Sequence, residues 1–415
     1  MSDFSSDPLP AEAVRRLVWV LALTTFLLWA GASSILPLLP EYIKNRGASD
    51  GLVGIVMASY FIAALALQYP AGRLADRLGR KRIIVAGLLC YAIGSFGFLI
   101  HVPPTVDIAW RSLQGAGSGT VEVASLAMIS GAVDIARRGR AFGTVYGMQL
   151  AAMAIGPLIG SLVGQRNMAV LFVLAGLGSL AACIPVVGRS VVARADASLA
   201  TADREQVRRF PRMNRALVGA LLAAAAYGLI IGVYESCWTL LLELRHASDW
   251  QIGLSWTLFA VPFVVASRPG GWLADHTDRR WLVVCALGFS VALCCSYPFI
   301  GSIWPLLLLG GVEALGMAIA LPAAQSLLTQ GSPGHELGRV QGLFSSSETG
   351  GIALAAAVGG ALFGLVSWAP FVVGAAGALA LTAALPFVWR TVLGRVTEVS
   401  GHHELLTEGP TIIQA

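Results

Sequence analysis

The chain of 415 residues has little charge for its size and almost no lysine. Charged residues make up 12% of it and hydrophobic residues 56%, whereas soluble domains are roughly 25% charged. Two or three soluble domains would fit the length but not this composition, and a disordered chain would contain far fewer apolar residues. The composition therefore excludes both classes and indicates a membrane protein that crosses the bilayer several times.

The sequence also lacks the patterns of a disulfide framework, a metal site or a nucleotide-binding loop. Its six cysteines are scattered and form no C-x-x-C pair, so we predict only structural roles for them. No G-x-x-x-x-G-K-[ST] motif and no nucleophile–base pair occurs in the apolar runs, which argues against an ATPase and against an enzyme. We expect no cofactor and no bound metal, so a proton gradient is the expected energy source for uphill transport.

Twelve apolar runs approach the roughly 20 residues that a membrane-spanning helix needs. The first run has no A-x-A cleavage site, so it predicts a spanning helix and not a signal peptide. A polar, arginine-rich segment divides the runs into two sets of six. The predicted organisation is an N-terminal tail over 1–14, a six-helix bundle over 15–188, a linker over 189–214, a second six-helix bundle over 215–389 and a C-terminal tail over 390–415.

The distribution of basic residues predicts how the chain is oriented. With the N-terminus inside the cell, 22 of the 28 basic residues fall on the inner side, as the positive-inside rule requires. We therefore expect a multi-pass protein of the cell membrane, surrounded by lipid, with both termini in the cytoplasm. The net charge of +5 then reflects topology, so we expect no nucleic-acid partner. We also expect a monomer.

The two halves of the chain repeat each other at an offset of 199 residues. Segment 70–81 (PAGRLADRLGRK) overlays segment 269–280 (PGGWLADHTDRR), and the same offset pairs Gly160 with Gly359. Each half has an even number of spans, so both halves start on the same side and the repeats are parallel. The sequence therefore predicts an all-α membrane protein of twelve helices in two parallel six-helix repeats, which is the arrangement of the major facilitator transporters.

Three motifs resemble those of the same superfamily. Segment 72–82 (GRLADRLGRKR) resembles its loop 2–3 signature, and segment 110–119 (WRSLQGAGSG) resembles its motif in the fourth helix. Segment 154–161 (AIGPLIGS) resembles the motif of the fifth helix, which is typical of the drug:proton antiporter branches, although Ser161 replaces the last glycine. The resemblance covers the whole apolar region and implies alternating access, in which the two halves rock around a central cavity.

The resemblance also implies a gate on the cytoplasmic side. A carboxylate at the end of the second helix can face the positive N-terminal end of another helix, and glycine permits a tight turn there. The alternative is a solvated basic loop that only sets the topology. The predicted gate residues are Asp76, Arg80 and Gly72, with Asp134 as a partner for Arg80, and Asp275 and Arg279 as a weaker second gate.

Small residues in the fifth helix predict close helix packing. Gly147, Gly156, Pro157 and Gly160 would allow another helix to approach without lipid between them, and proline can kink a helix. By resemblance to the family, that partner is the eighth helix. Generic packing of small residues is the alternative interpretation.

Ionisable residues within the spans are the candidate transport site, because such residues are costly in a membrane and usually functional. Glu313 and Glu235 are the leading pair for exchanging a proton against a cationic substrate, since a desolvated carboxyl can hold a proton near neutral pH. Arg111 is a candidate for the same cavity region as Glu313, and the alternative is an internal ion pair between the two that only fixes the structure. Further candidates in the cavity are Gln114, Glu122 and Glu348.

Aromatic residues accompany these acids and suit a cation, which is attracted to an aromatic face. Tyr234 and Trp238 flank Glu235, and Trp29 lies in the first span. The sequence thus predicts a secondary transporter for small lipophilic or cationic compounds, working by proton-coupled efflux. The alternatives are a facilitator or proton symporter for a sugar, organic acid or lipid-like solute, and a receptor on the same fold that transports nothing.

Overall fold

The computed structural model describes residues 10–100, 102–133, 135–188, 192–193, 213–329 and 337–392, which are helical apart from short connections. Within these residues, twelve long helices follow one another. They are α1 Ala11–Ile35, α2 Asp50–Leu78, α3 Arg80–Gly97, α4 Asp107–Ala132, α5 Ile135–Val163, α6 Met168–Val187, α7 Arg215–Leu244, α8 Asp249–His276, α9 Arg279–Ser296, α10 Ile303–Thr329, α11 Leu337–Leu365 and α12 Ala369–Val388.

Ten of the twelve helices are long and apolar enough to cross a membrane by length and composition. The other two depart from that pattern for local reasons: α3 begins with three basic residues, and α4 is rich in glycine and serine. They follow each other along the chain, between α2 and α5, which do meet the criterion. The chain is therefore a multi-pass membrane protein, and its helix count agrees with the predicted twelve.

The buried apolar side chains form two separate cores. One core lies within residues 17–192 and packs α1 to α6 together, and the other lies within residues 217–389 and packs α7 to α12 together. The first helix begins at Ala11, four residues before the predicted first bundle, and the last ends at Val388. Each half is thus a bundle with its own core.

The bundle has two faces, which we name by the loops they carry. The terminal face carries the start of α1 and the α2–α3 turn, where Gly79 adopts a φ of 96° and its N–H donates to the carbonyl of Ala75. That positive φ is why glycine suits the turn. The distal face carries the connections that follow the odd-numbered helices, from α1–α2 to α11–α12. The α1–α2 connection contains a short helix, Leu39–Asn45. The terminal face is the one predicted to be cytoplasmic.

The two halves pack tightly against each other towards the distal face. An added Cβ on Gly54 of α2 would lie 2.9 Å from the Cα of Gly360 on α11, and one on Gly253 of α8 would lie 2.3 Å from the Cβ of Ser161 on α5. Only glycine allows both approaches. The structure therefore describes a state in which the distal face is closed.

The glycines of α5 have a different neighbour from the predicted one. A Cβ on Gly156 would lie 2.0 Å from the Oγ of Ser33, and one on Gly160 would lie 2.2 Å from the carbonyl oxygen of Ser34, both on α1. Around Gly147, no described heavy atom lies within 4 Å of such a Cβ. These glycines therefore pack α5 onto α1 within one half, which corrects the expected neighbour. The contact with α8 exists, but it is made by Pro157 and Ser161 against Gly253.

Candidate functional site

Glu313 is a buried carboxyl in the interior of the second half. It lies on α10, is 1% exposed, and accepts hydrogen bonds from two tyrosines. The Oη of Tyr234 lies 3.0 Å from both carboxyl oxygens, and the Oη of Tyr297 lies 2.6 Å from Oε2. Burying a carboxyl without hydrogen-bond partners is costly, and these two phenols supply such partners.

An aromatic pocket adjoins this carboxyl. Trp238 packs edge-on to Tyr297 with ring centroids 5.1 Å apart, and its indole N–H donates to the Oγ of Ser255 at 2.9 Å. The pocket, together with its opening to solvent, comprises about 390 Å³ of empty space, and it is lined by α7, α8, α10 and the turn after α9. Its lining residues are Ile231, Tyr234, Trp238, Ser255, Trp256, Phe259, Tyr297, Gly310 and Glu313.

Glu235 lies on an irregular turn of α7. Residues Tyr234–Trp238 form a π-helical turn between two α-helical segments, and such turns occur frequently at functional sites. The side chain is 7% exposed, and its Oε2 has no hydrogen-bond partner among the described residues. The π turn contacts α2 of the other half. Glu235 is therefore a buried, unsatisfied carboxyl at the junction of the two halves.

Arg111, on α4, is a buried cation of the first half. It is 2% exposed, donates to the Oε1 of Gln114 at 2.9 Å, and stacks its guanidinium 4.4 Å from the ring centre of Tyr60. Gln114 in turn donates to the Oγ of Ser95 at 3.0 Å. Within the described residues, the Nε of Arg111 has no hydrogen-bond acceptor. The cation thus retains capacity to bind another group.

Arg111 and Glu313 do not form the internal ion pair that the sequence left open. Arg111 is bonded to Gln114, and Glu313 is bonded to Tyr234 and Tyr297. The charge of Arg111 instead acts on Glu235 from across the boundary between the halves. The two predicted leading acids therefore have different surroundings, one hydrogen-bonded by phenols and one facing an arginine.

A second pocket, in the first half, contains Glu122. It lies between α1, α4 and α5, and Trp29 and Gln149 are among its lining residues. Glu348 of α11 lies within electrostatic reach of Glu122, so these two acids approach each other from opposite halves. Of the four predicted acids, Glu122 and Glu313 each line one of the two pockets, and Glu235 and Glu348 line neither.

The predicted cytoplasmic gate is described only in part. Arg80 and Arg279 are both buried at the starts of α3 and α9, and each has partners. Gly72 lies on α2, where an added Cβ would meet Val123 at 3.4 Å. Asp134 and the side chains of Asp76 and Asp275 lie outside the described residues. The gate stays a prediction.

Beside Arg279, an acidic cap begins α9. Asp278 accepts from the backbone N–H of Arg280 at 3.0 Å and forms an ion pair with its guanidinium at 2.6 Å. The hydrogen bond from the Arg280 side chain is the main reason why the pKa of Asp278 lies below its ordinary value. This carboxylate was not among the predicted residues.

Sequence reasoning also missed two tyrosines of the site. Tyr297 lies in a 3-10 turn after α9, and Tyr60 lies on α2, and neither is among the predicted cavity residues. The offset of 199 residues gives no signal for them, because it pairs Tyr297 with Phe98. Only the folded arrangement brings these phenols to Glu313 and Arg111.

The family model of the Major Facilitator Superfamily matches residues 21–242 and 217–408. These two matches cover nearly the whole chain. The chain belongs to the major facilitator superfamily. It is therefore a transporter and not an enzyme, and its substrate is a small molecule.

Two curated relatives within this superfamily cover most of the chain. The chain is 26% identical to the inner membrane transport protein YajR of Escherichia coli (strain K12), over all of this chain and 90% of the relative. It is 22% identical to the quinolone resistance protein NorA of Staphylococcus aureus (strain MSSA476), over 86% of this chain and 92% of the relative.

Solved structures of transporters share the fold. The peptide transporter POT in complex with alafosfalin aligns with a TM-score of 0.72 at 15% identity, covering 90% of this chain and 95% of that chain. The human organic anion transporter MFSD10 (TETRAN) aligns with a TM-score of 0.66 at 18% identity, covering 91% of this chain and all of that chain. At these identities the likeness concerns the fold alone.

Proposed function

We propose that this protein is a proton-coupled exporter of small lipophilic or cationic compounds, with its terminal face in the cytoplasm. In this proposal the substrate and the proton compete for the carboxyl of Glu313. Protons enter from outside as the compound leaves. The name of one relative, a quinolone resistance protein, supports a drug-like substrate.

The observation that carries this proposal is the environment of Glu313. It is 1% exposed and borders a pocket walled by Trp238, Tyr297 and other aromatic side chains. An anionic carboxylate among aromatic faces attracts a cation, through its charge and through the ring quadrupoles. A neutral, protonated carboxyl in the same place loses the first attraction. Proton binding and cation binding at Glu313 are therefore mutually exclusive.

Glu235 and Arg111 supply the link between the two halves. Glu235 belongs to α7 and Arg111 to α4, so a change of charge on Glu235 alters an attraction that acts across the boundary. Because the unsatisfied Oε2 of Glu235 is costly to bury as an anion, its protonation favours one arrangement of the halves. A transporter that alternates between states needs such a difference in affinity.

The proton gradient is sufficient to drive this exchange. Each entering proton releases about 2.3 kcal/mol per 100 mV of membrane potential and about 1.4 kcal/mol per tenfold proton ratio. At 100 mV and a tenfold proton ratio, one proton per cycle could thus support a gradient of roughly several hundred-fold for a neutral compound. For a monovalent cation the exchange moves no net charge, so the tenfold proton ratio alone supports about a tenfold gradient.

The test uses purified protein in liposomes that contain a pH-sensitive dye. Lipophilic cations and neutral drugs are added in turn, and proton movement is recorded for the wild type, Glu313→Gln and Glu235→Gln. Glu12→Gln is the matched control, because Glu12 is an exposed acid that pairs with Arg16 at the start of α1. We expect substrate-driven proton release in the wild type and the control only. Proton movement in the same direction as the substrate would instead identify a symporter.

A further inference from the structure

Four carboxylates and one lysine meet where the two halves touch at the distal face. Glu41 of the short helix and Asp50 at the start of α2 belong to the first half. Glu243 near the end of α7 and Asp249 at the start of α8 belong to the second. We call these four acids the distal acid cluster. It lies away from Glu313 and from the aromatic pocket that adjoins it.

Hydrogen bonds between the halves enclose this cluster. The Oδ2 of Asp249 accepts from the backbone N–H of Gln165 at 2.9 Å, and the Oγ1 of Thr239 donates to the carbonyl of Pro37 at 2.8 Å. The neighbouring α2–α11 and α5–α8 contacts leave no space for a side chain at Gly54 or Gly253. The cluster is therefore part of the seal that closes the distal face.

The cluster carries more negative charge than its cations neutralise. Lys44 lies 2.8 Å from the Oδ1 of Asp50. The other cation of the short helix, Arg46, is engaged elsewhere, by Asp107 at 2.8 Å and by the carbonyl of Val102. One lysine thus faces four acids.

Two oxygens of the cluster are also left with neither a hydrogen bond nor an ion pair. The Oε2 of Glu41 and the Oε1 of Glu243 are buried and have no partner among the described residues. A buried, unpaired carboxylate oxygen is unfavourable when ionised. These two glutamates are therefore the acids most readily neutralised by a proton.

The charges that face each glutamate come from both halves. Asp249 acts on Glu41, and Glu41, Asp50 and Asp249 act on Glu243, with Lys44 opposing them. Burial, and then the charge of Asp249, raises the pKa of Glu41 above its ordinary value, against a hydrogen bond with Asn45 that lowers it. Opening the distal face would return Glu41 to water and separate it from Asp249. The closed face consequently binds the proton more tightly than the open one.

We propose that the distal acid cluster is a proton-operated latch, in which proton uptake by Glu41 and Glu243 holds the distal face closed and proton loss favours its opening. The sign follows from linkage. A group whose pKa is higher in the closed state stabilises that state fully at low pH. The stabilisation is lost as the pH rises through the raised value.

If the distal face is external, the latch serves the return step of the transport cycle. After a compound has been released, a more acidic exterior would close the distal face of the empty protein, so that the protein opens to the cytoplasm again. The latch does not depend on proton–substrate competition at Glu313, because it concerns a different part of the molecule and a different readout.

The experiment measures the opening of the distal face directly. Spin labels are placed at Thr105→Cys and Gly301→Cys, in two exposed distal loops of opposite halves, with the native cysteines replaced. Distances are recorded between pH 4.5 and pH 8 without substrate. We expect the closed population of the wild type to fall as the pH rises. A difference of one pKa unit between the states changes their ratio about tenfold.

Variants of the cluster provide the decisive comparison. Glu41→Gln/Glu243→Gln should stay closed at every pH, with each single variant intermediate and Glu12→Gln responding like the wild type. If the double variant is not monodisperse, the two single variants alone are compared with the wild type. A wild type without a pH response, or cluster variants with the wild-type response, would overturn the latch.

A second set of measurements, in protein without the two central acids, distinguishes a pH response of the latch from a pH response of the proposed transport site. The same distances are measured in Glu313→Gln/Glu235→Gln protein. A pH response that persists there supports the latch even if substrate-driven proton release never occurs. A response that disappears there would mean that the central acids sense the pH, and it would overturn the latch without touching the proposed function.

Discussion

Tyr297 and Glu313 are joined by a hydrogen bond of 2.6 Å, although they lie on different helical segments 16 residues apart. The bond places a phenol donor from the turn after α9 on Glu313, the carboxyl that borders the aromatic pocket among the described residues. A carboxyl held in this way keeps a fixed direction towards the pocket. The arrangement links the position of α9 to the charge state of Glu313.

Tyr297→Phe should weaken proton-coupled exchange without unfolding the protein. The change removes one of two donors to Glu313, and a hydrogen bond to a charged group contributes about 1.5–3 kcal/mol. We expect the exchange rate in liposomes to fall at least tenfold. Tyr91→Phe is the control, because Tyr91 is equally buried and its hydroxyl has no hydrogen-bond partner among the described residues. Equal loss in both variants would show that the bond has no specific role.

Trp238→Leu should reduce the affinity for lipophilic cations more than for neutral drugs. Trp238 is 7% exposed and forms a wall of the pocket beside Glu313, and a buried cation–aromatic contact contributes about 2 kcal/mol. Direct binding to detergent-purified protein should therefore weaken about thirtyfold for cations. Trp19→Leu is the control, since Trp19 is 55% exposed on α1. A similar decrease for cations and neutral compounds would contradict the proposed role of charge.

Gly253→Val should prevent the distal face from closing. Its side chain would collide with Ser161 and with the carbonyl of Pro157, and such overpacking costs about 1–3 kcal/mol. The label distances across the distal face should lengthen and transport should be lost. Gly288→Val, on α9, carries the same change where no described atom lies within 4 Å, so it should behave like the wild type. Unchanged distances in Gly253→Val would argue against the α5–α8 seal.

Asp278→Ala should lower the thermal stability in a manner that depends on pH. Asp278 caps α9 and bonds the side chain of Arg280, which keeps its pKa below the ordinary value. The carboxylate therefore stabilises the fold above the ordinary pKa of an aspartate, about 3.9, and this stabilisation is lost as the pH falls through the lowered value. The melting temperatures of wild type and variant should differ at pH 7 and converge in acid. A difference that persists in acid would show that charge is not the cause.

Much of the architecture could be predicted from the sequence because it follows from patterns that recur along the whole chain. Twelve apolar runs and the offset of 199 residues are repeated signals, and the family match to residues 21–242 and 217–408 agrees with them. Glu313 could be singled out because a charged residue is costly within an apolar run. That argument needs no knowledge of its neighbours.

The finer features could not be predicted because they depend on contacts between distant residues. Nothing in the local sequence of Tyr234–Trp238 distinguishes a π turn from a regular helix. The local sequence does not show whether a glycine of α5 faces α1 or α8. The neighbour of Gly156 was therefore predicted from the family resemblance, and the structure corrects it. Glu41 and Glu243 belong to different halves and come together only where the halves pack, so the local sequence gives no sign of the distal acid cluster.

The most direct test of the central claim is proton release on binding, in weakly buffered detergent solution without a membrane. If substrate and proton compete for Glu313, adding a saturating lipophilic cation to the wild type should release protons in proportion to the protein, and the affinity should rise with pH. Glu313→Gln should bind the compound without releasing protons, or not bind it. Cation binding by the wild type with no proton release at any pH would contradict the account.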